Sequence, residues 1–171
     1  MARLERARRA SLAEAERVAR RILDGVRRQG DRALIRYARQ LDGQDLRRVG
    51  FTVSREEIRR AYGDVPRGFL AALRVAARNI RAAARRQLPR AWQAPQGTGV
   101  EVGQLIRPLE RVACYVPGGR FPLPSTVLMS VIPAQVADVR EVLVTSPRPA
   151  PTVLAAADLL GGGAKRMLRE A

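Results

Sequence analysis

The stretch "RVACYVPGGRFPLPSTVLMS", residues 111–130, decides the fold. Arg111 to Val116 is short, apolar and rich in strand-forming side chains, so it reads as a β-strand. Pro117-Gly118-Gly119 then reads as a turn, because glycine admits backbone dihedrals closed to other residues. Ser125 can cap the apolar run that follows, and the sequence predicts a helix to about Ala137. Pro133 lies inside that run and predicts a kink or an early break.

The order continues. "EVLVTS", Glu141 to Ser146, predicts a further strand. Pro151 to Leu160 predicts another helix, stopped at Gly161–Gly163. "KRMLREA" can begin one more strand. Strand, helix, strand, helix, strand is the signature of a parallel sheet with crossover connections.

The residues before this region read as helices. Ser11 and Glu14 have the capping-box spacing and predict a helix start. Leu12, Ala15, Val18, Ala19, Ile22, Leu23 and Val26 recur at helical spacing. Gly30 predicts its end, and Asp31 the cap of a second helix lined by Leu34, Ile35, Ala38 and Leu41. Ser54 and Glu57 predict a short third helix ending near Gly63. Asp64 and Pro66 open a longer one, with Phe69, Leu70, Leu73, Ala76, Ala77 and Ile80 on one face. Pro89 ends it. Val100 to Pro108 predicts a strand. The expected division is an N-terminal helical segment, 1–95, and a partial Rossmann-like α/β domain, 96–171.

Composition narrows the class. The chain has 171 residues, 46% of them hydrophobic, which is enough for a buried core. Its single cysteine excludes an internal disulfide framework and fits a reducing compartment. No apolar run reaches the roughly 18 residues of a membrane span, and no signal-peptide pattern opens the chain. The expectation is a cytoplasmic protein without a membrane partner.

The net charge of +16 is unevenly placed. Residues 1–90 hold 24 basic and 10 acidic side chains, or +14; residues 91–171 hold 8 and 6, or +2. Such a basic helical half can attract nucleic acid non-specifically, or can simply present a solvated face.

Strand, glycine-rich turn and helix start is also a geometry used for nucleotides, because glycines let a ligand approach the backbone. Pro-Gly-Gly is not Gly-x-Gly-x-x-Gly, so on chemistry alone the turn reads first as a tight connection between strand and helix. Tyr115 before it can stack on a base or pack against the fold. Histidine, the usual proton shuttle near neutral pH and a common zinc ligand, is absent from the whole chain. Cys114 reads as a small buried hydrophobe.

Longer blocks carry more information. "RPLERVACYVPGG", "PSTVLM", "IPAQVADVREVLVTSP" and "VLAAADLLG" resemble histidinol dehydrogenase in the same order. "VRRQGDRALIRYARQLDG", "VSREEIRRAY" and "AARNIRAAARRQLPRAW" resemble that family's leading helices. The resemblance implies two NAD-dependent oxidations of L-histidinol to L-histidine by a zinc-dependent homodimer with Rossmann-like domains. It implies a cofactor contact at Tyr115, with Pro117, Gly118 and Gly119 beside it. Ala84 and Gln135 stand where the family often has histidine and lysine. The resemblance stops at "LREA", before the segments that would supply the zinc ligands and the Glu-His acid-base pair. The expectation is therefore the N-terminal portion of such an enzyme, inactive alone, with no catalytic or metal-ligating residue of its own. The alternatives are a stand-alone basic module binding nucleotide or nucleic acid, and one half of a split enzyme.

Overall fold

The computed structural model describes residues 2–118, 121–161 and 164–169. The chain forms two compact units, 1–50 and 51–170.

The first unit is helical. Helix α1 spans Ala2–Gln29, α2 spans Asp31–Leu41 and α3 spans Leu46–Val49. Because α1 begins at Ala2, Ser11 and Glu14 fall within it and do not mark its start. Gly30, at φ 55°, makes the break before α2, so Asp31 is the first helical residue and not the cap. The alanines Ala33 and Ala38 are fully buried, and Leu46 is buried with them. Gly25 permits a close approach inside this unit: a Cβ there would lie 2.8 Å from the Tyr37 hydroxyl. The four-residue α3 was not expected from periodicity. Its cap is local, with the Arg47 backbone N–H donating to Asp45 Oδ1 at 3.1 Å.

The second unit holds the sheet. Helix α4 is Arg55–Gly63 and α5 is Phe69–Arg86. The box read from Ser54 and Glu57 is formed: Glu57 N–H donates to Ser54 Oγ, and Ser54 N–H donates to Glu57 Oε2. Strands β1 (Trp92–Pro95) and β2 (Glu101–Gln104) make an antiparallel hairpin. Strand β2 is shorter than the expected 100–108 strand, and β1 was not foreseen. Gly97 and Gly99 supply the positive φ that their connection needs.

Strand β3 (Arg111–Tyr115), helix α6 (Pro124–Val136), strand β4 (Glu141–Ser146), helix α7 (Pro151–Leu159) and strand β5 (Ala164–Arg169) follow in the expected order. The sheet order is β3-β4-β5, with both pairs parallel. Cys114 stands beside Val144 and Tyr115 beside Thr145. Alternate residues divide the sheet faces. Cys114, Val142 and Val144 are buried, whereas Arg111, Ala113 and Tyr115 are exposed.

Helices α6 and α7 bring Val127, Leu128, Val131, Ile132, Val153 and Ala156 into one core with the buried strand residues. Helix α6 does not break at Pro133. The carbonyl that Pro133 leaves without a helical donor is that of Met129, an exposed residue that water can serve.

Helices α4 and α5 pack in this same unit, and Ala61 and Leu73 are part of its core. Contacts therefore divide the chain after Gly50, and not at the expected boundary of 95; helices give way to strands between the end of α5 at Arg86 and the start of β1 at Trp92. Gln135 ties three helices: it accepts from Arg81 at 2.7 Å and donates to the Leu160 carbonyl at 3.0 Å. The Tyr62 hydroxyl donates to Asp158 Oδ2 at 2.7 Å, joining α4 to α7. Among the described residues, no helix is long and apolar enough to cross a membrane.

Two stability predictions follow from this packing. Ile132→Ala removes a fully buried side chain and should cost about 2–5 kcal/mol in urea unfolding; a loss below about 1 kcal/mol would place Ile132 outside the core. Burial, and then the bond to Asp158, push the Tyr62 phenol up to about 12. The neutral phenol is thus favoured by folding. Its contribution is whole below the ordinary tyrosine range and is lost as pH rises through about 12. Tyr62→Phe should cost about 1 kcal/mol near neutral pH. It should also delete the latest-ionising component of an alkaline tyrosinate titration. Retention of that component in the variant would contradict its assignment to Tyr62.

Candidate functional site

The carboxyl ends of β3 and β4 lie side by side, because the two strands are parallel and in register through Tyr115 and Thr145. The Val116 N–H donates to the Thr145 carbonyl at 2.8 Å and extends the pairing to the brink of the turn. Val116 is fully buried and anchors the strand end. Tyr115 is the last residue of β3, on the exposed side, with about half of its surface open (52%). Pro117 follows, partly buried, and then Gly118, exposed. Gly119 lies outside the described residues.

Gly118 has a specific steric reason. A Cβ at that position would sit 2.5 Å from the Pro147 carbonyl oxygen and 2.7 Å from Pro147 Cγ. The loop after β3 and the loop after β4 therefore touch, and only glycine fits between them. The site is thus a pair of adjoining loops at one edge, of which sequence reasoning identified the first. The signal for the second was the parallel pattern in "TSPRPAPT", a strand end running through prolines into a helix. In the first turn of α7, Thr152 Oγ1 is buried without a hydrogen-bond partner among the described residues. A buried hydroxyl left unpaired is costly and is available to a bound polar group.

Cys114 points to the other face. It is buried, and desolvation pushes its thiol up from the ordinary cysteine range. The thiolate is therefore disfavoured, which suits packing and not nucleophilic attack or metal ligation. Among the described residues, no cluster of three His, Cys, Asp or Glu side chains could hold a metal ion. The sequence also contains no histidine, a common zinc ligand.

A parallel sheet, crossover helices and paired loops at the carboxyl edge define an α/β domain of the open-sheet class, in which ligands lie outside the carboxyl ends of the strands. Comparison with known proteins gives the particular family. The family model described as histidinol dehydrogenase matches residues 5–167, and the chain belongs to the histidinol dehydrogenase family of oxidoreductases.

The histidinol dehydrogenase of Syntrophotalea carbinolica is 47% identical over 144 residues, covering 82% of this chain and 33% of that protein. That of Thermus thermophilus is 46% identical over 147 residues, covering 85% and 34%. The crystal structure of histidinol dehydrogenase from Elizabethkingia anophelis superposes with a TM-score of 0.80 at 29% identity, over 91% of this chain and 36% of that one. The chain thus spans about a third of the length of the curated relatives it matches.

The steric role of Gly118 is testable by thermal unfolding. Gly118→Ala should destabilise by about 1–3 kcal/mol, because the added methyl must displace backbone. Gly63→Ala, where a Cβ would meet nothing within 4 Å, should be neutral or slightly stabilising. Equal effects at the two glycines would contradict the contact with Pro147.

Proposed function

We propose that this chain contributes the cofactor-facing edge of an NAD-dependent oxidation of L-histidinol to L-histidine. The exposed ring of Tyr115, standing beside the glycine turn at the carboxyl end of β3, carries this reading. An aromatic face in that position can stack on a base or ribose. Gly118 keeps the surface beside it low, and Pro117 stiffens the chain between ring and turn. The family resemblance implies a cofactor contact near Gly119 as well. The unpaired Thr152 hydroxyl supports a polar ligand at this edge. When bound, NAD supplies the hydride acceptor. The residues of this chain bind and orient; they do not move the proton.

The proton economy sets the limit. Alcohol oxidation needs a base for the hydroxyl proton, and oxidation of the aldehyde needs an activated water. No histidine is present to serve either need, and the buried thiol of Cys114 is held protonated. The zinc and the acid-base pair implied by the family would have to come from polypeptide other than these 171 residues, as would the second subunit of a homodimer.

One observation also favours cover of the sheet by polypeptide other than the described residues. The sheet face carrying Arg111, Ala113 and Tyr115 is exposed, whereas parallel sheets are ordinarily covered on both faces.

The purified chain, given L-histidinol, NAD and zinc, should form no NADH. Calorimetry with NAD should show weak binding or none, because one ring and one turn are only part of a cofactor site. Turnover by the chain alone, or saturable binding with a micromolar Kd, would overturn this assignment of roles. Co-expression with the remaining two-thirds of a curated relative should restore turnover if a separate polypeptide can complete the site.

A further inference from the structure

The first unit contains a hollow unrelated to the carboxyl edge of the sheet. Arg32, Arg36 and Arg39 from α2 line it, with Arg47 from α3. The α2 arginines recur at four- and three-residue spacing, which places them along one helix face. Among the described residues, the only carboxylate lining the hollow is that of Asp45, whose Oδ1 caps α3. Four guanidinium groups against one carboxylate leave a net charge of about +3 around one concavity.

Six other arginines of the protein are differently placed. Arg17, Arg20, Arg27, Arg59, Arg60 and Arg111 each have a carboxylate partner. Among the described residues, none of the four arginines of the hollow forms an ion pair. Arg36 is instead held by neutral groups: it donates to Gln29 Oε1 at 2.7 Å and lies 4.8 Å from the centre of the Tyr37 ring. Those contacts fix the direction of the guanidinium without cancelling its charge. Unneutralised, clustered like charges repel one another, and an anion between them relieves that repulsion.

We propose that this hollow binds a ligand carrying two or more adjacent phosphates. Guanidinium groups suit phosphate because their N–H groups form paired, charge-assisted hydrogen bonds with its oxygens. Adjacent phosphates match the accumulated charge better than a single monoanion. The phosphates can come from a small oligophosphate or from a nucleic-acid backbone.

Titration of the full chain with sodium tripolyphosphate, and separately with a short DNA duplex, distinguishes the two sources. At low ionic strength at least one should bind saturably and weaken as salt rises. Binding of tripolyphosphate alone would assign a small oligophosphate, binding of duplex alone a nucleic-acid backbone, and binding of both the phosphate cluster itself. In each case Arg39→Gln/Arg47→Gln should weaken binding by about tenfold or more. Arg59→Gln/Arg60→Gln, which removes the same charge from arginines paired with Glu56 on α4, should leave it within about twofold. If the first double variant loses its helical circular dichroism, Arg39→Gln alone serves, with a smaller loss expected. Absence of binding by both probes, or an equal loss in the two double variants, would overturn the proposal.

Discussion

The buried face of the β3–β4 pair is the constraint on which the second unit depends. Parallel strands cannot be joined by a tight hairpin, so each needs a crossover, and here each crossover is a helix. The two helices must then cover the strands they connect. Val116, Val142 and Val144 meet Val127, Leu128, Val131 and Ile132 at almost zero exposure. Burying such side chains favours folding by about 1.5–3 kcal/mol each. Helices α4 and α5 pack against α6 and α7 and join this core through Ala61 and Leu73. The carboxyl edge inherits its geometry from this arrangement. With β3 and β4 held in register, the loops that follow them must meet, and Gly118 fits because Pro147 is already there.

The same constraint explains the division of labour at the edge. Alternation along β3 commits Cys114 to the core and Tyr115 to the open side. The thiol is thereby protected and held protonated, while the ring is left available. A one-residue slip in register would exchange the two. Packing and presentation of the candidate cofactor residue are therefore one property of the strand.

Much of this architecture was legible in the sequence because it is locally encoded. The βαβαβ order could be read from alternating apolar runs and turns, and the Ser54–Glu57 box from four residues. What escaped depended on partners or length. Strand β1 contains Pro95 and becomes a strand by pairing with β2 across five intervening residues. Helix α3 has four residues, too few for a periodicity to register. Ser11 misled because its spacing with Glu14 is that of a cap, yet the helix already runs through it from Ala2. The place of α4 and α5 in the second unit rests on tertiary packing that no local pattern encodes. At the edge, Tyr115, Pro117 and Gly118 could be named from their motif. The reason for Gly118, a neighbouring loop thirty residues away, could not.

A chimera tests the cofactor role of this edge most directly. The present chain would replace the matching third of the Syntrophotalea carbinolica enzyme, its relative at 47% identity. L-Histidinol oxidation would then be measured against NAD concentration. The account predicts turnover, and in Tyr115→Ala a KM for NAD raised about tenfold with a smaller change in kcat, the pattern of lost cofactor binding. An unchanged KM for NAD in an active Tyr115→Ala chimera would contradict it.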